Sequence, residues 1–340
     1  MNVVLALIFI ILIRNTNFRG GGYDEYIGYR QTRAINGLFI MFVFLSHFSQ
    51  YIVLDSMMDI IYLFIKSLLG QTVVTTFLFY SGYGVMHSIM WKGESYIKTM
   101  PKNRILKTLL LFDIAITLYI ILNIFLGIDM SYEQVVLSFI GWTSVGNSNW
   151  YIFAILVMYL ISYIAFKVAG EKKIMGLILS TILIAMYVLI VSRCKESWYY
   201  NTVFCYGVGL WFAFFKDKID IFLSNSKIYF VTLSIMMAIL FLSYMFPYND
   251  YFQVKYIFFV TSVVIVSMKV QINSPILVWC GENLLGIFIL HRLPMIALGQ
   301  YDWMISHQNI YFVLCLVISI FLVIVYQHLV IRNINTMFGR

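Results

Sequence analysis

The sequence predicts an all-α fold, a polytopic bundle of about ten transmembrane helices with a short hydrophobic helix at the N-terminus. Two observations predict it. Of the 340 residues, 62% are apolar and 11% are charged, whereas about 25% of the residues of a soluble domain are charged. The apolar residues also form runs of roughly 17 to 25 residues, the length that an α-helix needs to cross a bilayer. The lipid bilayer is therefore the predicted environment of most of the chain.

Ten apolar runs are long enough to be spans when their boundaries are loose by several residues. No internal repeat or low-complexity linker separates them, so one membrane domain is predicted over 35–332. A hydrophobic helix with a cytoplasmic connector (1–34) precedes this domain, and a cytoplasmic tail (333–340) follows it. The predicted spans are 36–54, 69–90, 105–127, 150–168, 174–192, 200–215, 228–246, 252–268, 276–291 and 310–331.

The distribution of Lys and Arg predicts the orientation of these spans, because cytoplasmic loops of membrane proteins retain an excess of basic residues. When the connector 14–35 is placed in the cytoplasm, 18 of the 23 basic residues lie on the inner side and the C-terminus is cytoplasmic. Topology thus explains the net charge of +8, and nucleic acid is not a predicted partner. The basic residues on the outer side are Lys66, Arg193, Lys195, Lys255 and Arg292.

The apolar segment 2–13 would be about 18 Å long as a helix, shorter than the roughly 30 Å hydrocarbon core of a bilayer. It has no basic region and no small-residue cleavage site, so a cleaved signal peptide is not expected. The segment is predicted to be an extra helix that either crosses the bilayer at a tilt or lies in its interface.

Two further segments are predicted to lie on the outer side. Residues 57–68 are expected to form an amphipathic turn at the membrane surface. Residues 128–149 contain no Lys or Arg and several polar groups. This second segment is either a cap over an outward-facing cavity or an ordinary surface loop.

The motifs of several enzyme classes are missing from the sequence. It has no P-loop, dinucleotide fingerprint, GxSxG elbow or HExxH motif. The cysteines are scattered without metal-ligand spacing, and a structural disulfide is not expected. No metal and no permanently bound cofactor are therefore predicted. The four cysteines are Cys194, Cys205, Cys280 and Cys315.

A histidine lies inside the first predicted span. His47 is eleven residues after Asn36, about 16 Å along a helix and near the middle of the bilayer. In the second span, Ser81 and Gly82 form a notch of small residues about 14 to 15 Å from Trp91 at the inner end. Because this depth in the bilayer is similar to that of His47, the histidine and the notch are predicted to meet. Small residues let a helix or an acyl chain approach closely. A neutral imidazole can take a proton from a hydroxyl; the alternative is a structural histidine that hydrogen-bonds to a neighbouring helix.

The inner connector before the third span is rich in basic residues, which include Lys98, Lys102, Arg104 and Lys107. Arg104 and Lys107 are three residues apart and would share one face of an α-helix, where they could grip a phosphorylated ligand from the cytoplasm. The alternative is that these residues only anchor the connector on the cytoplasmic side.

Together, the motifs resemble those of the acyltransferase-3 family of bacterial membrane acyltransferases. The resemblance runs in order from about residue 33 to residue 331. It implies transfer of an acyl group, commonly acetyl from acetyl-CoA as donor substrate, to a hydroxyl of a surface polysaccharide, peptidoglycan or related glycan, by a protein of the bacterial cytoplasmic membrane. The motifs are NGLFIMFVFLSHF, FLFYSGYG, KNRILK, NSNWYIFAILVMYL, WYYNTVFCYGVGL and WCGENLLGIFILHRLP.

The resemblance also implies roles for the basic connector and the first helix. His47 matches a family histidine that is thought to act in acyl transfer. Arg104 and Lys107 fall on a cytoplasmic motif, arginine, two residues, arginine, that is associated with acyl-CoA binding. Lys107 keeps the charge of the second arginine but cannot form its bidentate fork with phosphate.

Other residues match the family's remaining motifs. The second-span motif is matched by Ser81, Gly82 and Tyr83. An aromatic pair that opens the fourth span is matched by Trp150 and Tyr151. The ninth-span signature is matched by Gly281, Gly286 and His291.

One position departs from the family pattern. The family typically has an arginine that is separated from its histidine by ten intervening residues, and this position is Asn36 here. Arg33 lies about one helical turn earlier, and its long side chain would reach the same region if the helix allowed it. If it does not, the role of the arginine is vacant.

These observations predict one mechanism. Acyl-CoA docks at the inner face on Lys102, Arg104 and Lys107, and His47 either activates a glycan hydroxyl or relays the acyl group to it. His291, about 22 Å along its span, is predicted near the outer face, where it and Trp150 shape the sugar site or only anchor the interface.

The predicted partners are acyl-CoA, a surface glycan and the lipid bilayer, and the oligomeric state is left open. Two rival functions also fit the sequence. One is a transporter or glycan flippase, which would share the spans and the midplane histidine. The other is a non-catalytic membrane partner in surface polysaccharide assembly, which the asparagine at the arginine position favours.

Overall fold

The computed structural model describes residues 1–19, 22, 25–54, 57–245 and 254–339. These residues are 81% helical with almost no sheet, as the sequence predicts. The α-helices are α1 Asn2–Arg14, α2 Tyr29–Phe48, α3 Ile60–Leu69, α4 Thr75–Lys92, α5 Glu94–Met100, α6 Lys107–Leu126, α7 Tyr132–Ser138, α8 Trp150–Ala169, α9 Lys173–Val191, α10 Phe204–Ser224, α11 Ser226–Met245, α12 Val254–Ser267, α13 Pro275–Glu282, α14 Leu284–Leu290, α15 Arg292–Leu298, α16 Asp302–Ser306, α17 Gln308–Tyr326 and α18 Arg332–Met337.

Shorter elements connect some of these helices. Pro101–Leu106 and Gln327–Ile331 are π-helical. Three short 3₁₀ segments are Met57–Asp59, Gly70–Val74 and Ser197–Tyr199. The strands are β1 Thr16–Phe18 and β2 Val270–Ile272.

Several helices are long and apolar enough to cross a membrane, which makes the chain a multi-pass membrane protein. Among the described residues there are six such helical stretches, and a seventh if a pair of helices bent by 67° is one span. The bent pair is Pro275–Glu282 with Leu284–Leu298. The six are Ile60–Lys92, Glu94–Leu126, Trp150–Ala169, Lys173–Val191, Ser226–Met245 and Gln308–Met337.

The predicted number of ten spans is not confirmed, because three of the predicted spans fall on helices outside this set. The first two turns of α2 contain Arg30 and Arg33, and the second half of α10 contains four charged residues, Lys216, Asp217, Lys218 and Asp220. The described part of α12 has only 14 residues. The segment predicted as an amphipathic turn at 57–68 belongs mainly to α3, which leads into α4 within one of the long stretches.

The chain divides into two compact units. The first consists of 1–39, 57–98 and 161–282, and the second of 40–56, 99–160 and 283–340. The boundary between them falls inside α2 and inside α8, so each of these helices contributes one end to each unit.

In the first unit, α1 is joined to the rest at both ends. At its start, the Asn2 side-chain oxygen accepts a hydrogen bond from the backbone N–H of Tyr62 at 2.8 Å. After its end, β1 pairs with β2 in antiparallel register, with Thr16 opposite Ile272. Gln31 is buried beneath this pair, donating to the carbonyl of Val270 and accepting from the N–H of Ile272. The N-terminal segment is a helix, as predicted, and the two-stranded sheet after it is an element that was not predicted from the sequence.

Glycines allow two close helix crossings in the first unit. A Cβ built on Gly82 would lie 2.1 Å from the carbonyl oxygen of Tyr206, and one built on Gly209 would lie 2.1 Å from that of Phe79. Since neither position has room for a side chain, α4 and α10 touch backbone to backbone. The crossing of α2 with α13 is similar, because a Cβ on Gly281 would lie 1.9 Å from the carbonyl oxygen of Arg33.

In the second unit, α17 packs against α14 and α15 around a core of aromatic rings. The ring of Phe48 lies 5.0 Å from that of Tyr311 and 5.2 Å from that of Phe312, measured between centroids. The Tyr311 hydroxyl donates to the carbonyl of Met295 at 2.5 Å, which satisfies its polar end inside the apolar core. This core holds the end of α2 beside His291, the residue between α14 and α15.

Candidate active site

His47 lies in the last turn of α2, not in the middle of the helix. The predicted span began at residue 36, but the helix begins at Tyr29 because helical hydrogen bonding continues through polar residues that an apolar pattern excludes. The helix ends at Phe48, and the following turn is closed by backbone bonds from the N–H of Gln50 to the carbonyl of His47 and from the N–H of Tyr51 to that of Phe48. The half-buried imidazole therefore stands where α2 gives way to a turn.

The side chains of His47 and His291 form a direct pair. Nδ1 of His47 lies 2.6 Å from Nε2 of His291, and the two ring planes are within 6° of parallel with centroids 4.9 Å apart. Phe44 and Phe288 line the pair, with their rings 5.9 and 6.4 Å from that of His291. His291 is 0% exposed, so one ring of the pair is fully buried against an apolar wall, while the His47 ring is half-buried.

His291 is held at an interruption between α14 and α15. Pro294 has no N–H to bond to the carbonyl four residues earlier, which weakens the helix at this point. Both the backbone N–H and the ring Nδ1 of His291 contact the carbonyl of Ile287, at 3.1 and 2.8 Å. A carbonyl only accepts hydrogen bonds, so Nδ1 of His291 carries a proton and donates it there.

This contact assigns the protons of the whole pair when both rings are neutral. Since Nδ1 of His291 is protonated, its Nε2 holds a lone pair and accepts from His47. Nδ1 of His47 is therefore the donor, and Nε2 of His47 carries the lone pair that can act as a base. A second-layer partner that orients a reactive imidazole in this way is a recurring feature of histidine catalysts.

Ser148 is a third member of the site that sequence reasoning missed. Its Oγ lies 3.3 Å from Nδ1 of His47. There it can be the second acceptor of a bifurcated hydrogen bond from the same N–H. The residue lies in the segment 128–149, which was predicted to be either a cap or a surface loop. The quoted stretch NSNW contains it, so a signal was present, but a serine in a loop has no pattern that distinguishes it from its neighbours.

The loop before α8 is a fixed structure and not a loose connection. Oδ1 of Asn147 accepts from the N–H of Val145 at 3.0 Å, and Oγ of Ser144 donates to the carbonyl of Asn147 at 2.7 Å. Gly146 has a φ of +102°, which a glycine adopts readily. Val145 is fastened to α6, since its carbonyl accepts from Asn123 at 2.9 Å. These bonds place Ser148 beside His47.

Trp150 and Tyr151 open α8 immediately after this loop, as the sequence predicts for an aromatic pair at the start of a span. Their rings meet edge to face with centroids 6.2 Å apart. Tyr151 is buried and packs on Phe288, which itself lines the histidine pair. Trp150 is half-buried, so of the two it is the ring with surface left for a ligand.

The basic segment has a different geometry from the one predicted. Lys102 and Arg104 lie in the π-helical stretch Pro101–Leu106, and Lys107 begins α6. In a π-helix hydrogen bonds run from i to i+5, so the face sharing expected of Arg104 and Lys107 in an α-helix does not apply here. π-Helical turns inside α-helices are frequent at functional sites.

Two of these basic side chains pack on aromatic rings. The guanidinium carbon of Arg104 lies 5.9 Å from the ring centroid of Tyr159. Nζ of Lys102 lies 5.4 Å from that of Phe338, beyond α18. Stacking of a cation on an aromatic face is favourable, and it holds each charge in a defined place at this end of α6.

Arg33 and Asn36 lie near the start of α2. Nη1 of Arg33 donates to the carbonyl of Gly281 at 3.0 Å, so this guanidinium fastens α2 to α13. Arg33 precedes His47 by fourteen residues, about 21 Å of helical rise, and Asn36 precedes it by about 16 Å. Asn36 is buried, and its Oδ1 has no hydrogen-bond partner among the described residues. Arg33 was predicted to reach the region of the family arginine. In the structure, its guanidinium bonds to the carbonyl of Gly281 in the first unit.

Gly82 does not leave an open notch, because the backbone of α10 fills it. Ser81 precedes it in the same helix. The prediction that this notch receives an acyl chain has no support at Gly82. Among the described residues, no group of three or more His, Cys, Asp or Glu side chains is arranged to hold a metal ion.

The membrane-spanning helices and an imidazole pair with one fully buried ring together define a membrane protein that carries a histidine base of defined tautomer. The sequence profile of the acyltransferase-3 family, described as an acyltransferase domain, matches residues 33–328. The chain therefore belongs to this family of membrane acyltransferases, which confirms the resemblance drawn from its motifs. No curated protein and no solved structure matches the chain at a significant level.

Proposed function

We propose that this protein is an O-acyltransferase that moves an acyl group, acetyl in the simplest case, from acyl-CoA to a hydroxyl of an extracytoplasmic glycan. The observation that carries this proposal is the contact of 2.6 Å between His47 and His291. With the proton arrangement that the Ile287 carbonyl imposes, the lone pair of His47 is on Nε2. A neutral imidazole of this kind suits removal of a proton from a sugar hydroxyl.

In the proposed reaction, Nε2 of His47 takes the proton of the glycan hydroxyl as its oxygen attacks the thioester carbonyl. The tetrahedral intermediate then collapses, the carbon–sulfur bond breaks, and the CoA sulfur leaves with the proton that His47 took up. The products are the glycan ester and CoA with a free thiol, so no other reactant is needed. His291 accepts the Nδ1–H of His47 throughout, which stabilises the imidazolium formed between the two steps.

The donor site is proposed at the basic segment. Lys102, Arg104 and Lys107 would hold the phosphates of acyl-CoA at the cytoplasmic face, while the long pantetheine arm carries the thioester toward His47. The stacking of Arg104 on Tyr159 supports this role, because it fixes the guanidinium instead of leaving it free in solvent. Acyl-CoA is a donor substrate in this scheme and not a resident cofactor.

The remaining parts of the proposal concern placement in the membrane. Ten crossings are proposed from the apolar runs, a cytoplasmic C-terminus from the distribution of basic residues, and residence in a bacterial cytoplasmic membrane from the family. The glycan is expected to approach from outside, along Trp150. Its half-buried ring offers an apolar surface to the sugar, and Tyr151 supports it from behind.

A non-catalytic role in polysaccharide assembly is the second candidate, and one observation favours it. Asn36 stands where the family has an arginine, and its buried Oδ1 has no partner among the described residues. If that arginine is indispensable for transfer, this chain would be a scaffold or a transporter. The contact between the histidines argues for the enzyme, since a scaffold has no need of an oriented base.

The experiment is release of CoA from acetyl-CoA by the purified full chain in lipid nanodiscs, with and without envelope glycans, together with transfer of labelled acetyl to the glycan. His47→Ala is expected to lower turnover by about 10²- to 10⁴-fold without loss of folding. Arg104→Gln is expected to raise the KM for acetyl-CoA.

Lys98→Gln is the matched control for the donor site. Lys98 lies on the same connector but is largely exposed and paired with Glu94, so its loss should leave the KM unchanged. Absence of glycan-dependent release from well-folded wild type, with several acyl donors and glycans, would shift the assignment to transport or a scaffold role.

A further inference from the structure

Arg292 directly follows His291 and places a guanidinium next to the histidine pair. Its Nε and Nη2 lie 3.2 and 3.1 Å from the hydroxyl of Tyr51, and Nη2 also lies 3.3 Å from Oε1 of Gln50. The guanidinium carbon is 5.6 Å from the centroid of the Tyr51 ring. These contacts are all with neutral groups.

The charge of Arg292 is therefore not neutralised by the part of the chain that the structure describes. The ion pairs found there join other residues, and none includes Arg292. A guanidinium carries five N–H donors, and the contacts with Tyr51 and Gln50 are made from Nε and Nη2 only. The two N–H groups on Nη1 remain to donate to an external acceptor.

The position of Arg292 relates it to the reaction. Gln50 and Tyr51, its two partners, lie in the turn that follows His47 at the end of α2. The half-buried guanidinium is thus fixed at the rim of the histidine pair and in the same unit. A cation held next to an apolar, buried centre is costly unless a counter-charge arrives, and carboxylates and phosphates are the ligands that a guanidinium fork matches.

We propose that Arg292 binds an oxyanion of the acceptor, so that the enzyme selects acidic glycans with a carboxylate or phosphate near the hydroxyl to be acylated. This inference rests on the proposed function, because it assigns the acceptor class of the same site. The charge-assisted contact with Nη1 of Arg292 orients the sugar, and the hydroxyl next to the anionic group faces His47.

A purely structural Arg292 would behave differently. If it only braced the turn after α2 through Tyr51, its removal would lower the melting temperature and would reduce kcat for every acceptor alike. An acceptor site instead predicts a change confined to anionic acceptors and to their binding. Arg292→Lys keeps the charge but not the planar fork, so it should retain part of the preference.

The test measures binding of three probes to the full chain in nanodiscs without acyl-CoA: trigalacturonic acid, its neutral methyl ester and a glycerol phosphate trimer. Wild type should bind at least one anionic probe about tenfold more tightly than the ester, and this difference should shrink as salt rises from 50 to 500 mM. Comparison of the two anionic probes tells carboxylate from phosphate. Arg292→Gln should abolish the preference, with little change for the ester.

The control is Arg193→Gln, which removes an exposed arginine that the topology also places outside. It should leave the preference intact. Equal binding of all three probes by wild type, or a preference that survives in Arg292→Gln, would overturn the inference even if acyl transfer is observed. A preference without any acyl transfer would support the anion site and count against the proposed enzymatic function.

Discussion

The crossing of α4 with α10 and the histidine centre at the end of α2 are both close contacts between helices or loops, yet they are built in opposite ways. At the crossing, Gly82 and Gly209 remove side chains so that two backbones touch. At the centre, His47, His291 and Ser148 bring polar side chains together through directional contacts of 2.6 and 3.3 Å. The crossing depends on volume, so any added atom must displace a helix. The centre depends on proton positions, so atoms can change with little effect on the fold and a large effect on chemistry.

The largest expected effect on the fold is at the crossing. Gly82→Ala puts a Cβ 2.1 Å from the carbonyl oxygen of Tyr206, so α4 and α10 must separate. We expect a loss of about 1 to 3 kcal/mol of stability or more, measured by thermal unfolding in detergent. Gly84→Ala is the matched control in the same helix, since a Cβ there meets nothing within 4 Å, and it should stay within about 1 kcal/mol of wild type. Equal shifts for the two variants would contradict this account.

The second-largest expected effect is a loss of catalytic rate at the histidine centre, with the fold intact. His291→Leu removes the acceptor of the Nδ1–H of His47, so the ring loses its fixed orientation. We expect kcat to fall by about 10- to 100-fold while the KM for acetyl-CoA is unchanged. His291→Gln supplies a carbonyl oxygen that can accept the same N–H and should recover part of the activity. If the two variants are equally impaired, or if KM and not kcat changes, then His291 does not act by positioning His47.

The smallest expected effect is at Ser148, which contacts Nδ1 of His47 together with His291. Ser148→Ala removes a contact of 3.3 Å, which is longer and weaker than the contact with His291. The turnover number should fall about two- to tenfold, with an unchanged melting temperature. Ser88→Ala, which removes a hydroxyl that bonds only within α4, serves as the control. A loss as large as that of His291→Leu would make Ser148 the principal partner.

Helix positions were predictable where apolar runs are long. The predicted span 150–168 is found as Trp150–Ala169, and 174–192 as Lys173–Val191. The start of α2 was missed by seven residues, because hydropathy detects where a helix meets lipid and not where its hydrogen bonds begin. The pairing of β1 with β2 was not predictable, since each strand has three residues and their partners lie more than 250 positions apart.

Of the three residues of the histidine centre, His47 was predicted as the catalytic residue from the sequence, whereas the contacts of His291 and Ser148 with it were not. His47 was singled out because a histidine in an apolar helix is costly. His291 was assigned to the sugar site with Trp150 and was not linked to His47, since a single sequence does not reveal contact between residues 244 positions apart. The bend of 67° that precedes α14 lies between Glu282 and Leu284, and no pattern in the apolar run 276–291 predicts it. The π-helical turn at Pro101–Leu106 has no sequence pattern distinct from an α-helix, so the geometry of the basic segment could not be read in advance.

The small sheet has a consequence for how the protein is made. Phe18 of β1 leaves the ribosome early, but its partner Val270 follows 252 residues later. At roughly 5 to 20 residues per second, β1 waits about 13 to 50 s with its backbone N–H and C=O groups unpaired. During that interval Gln31 lacks the strand that both its amide bonds require. The anchoring of α1 at its C-terminal end is thus a late event of synthesis, and a chain released before residue 272 would keep an open strand edge at its N-terminal end.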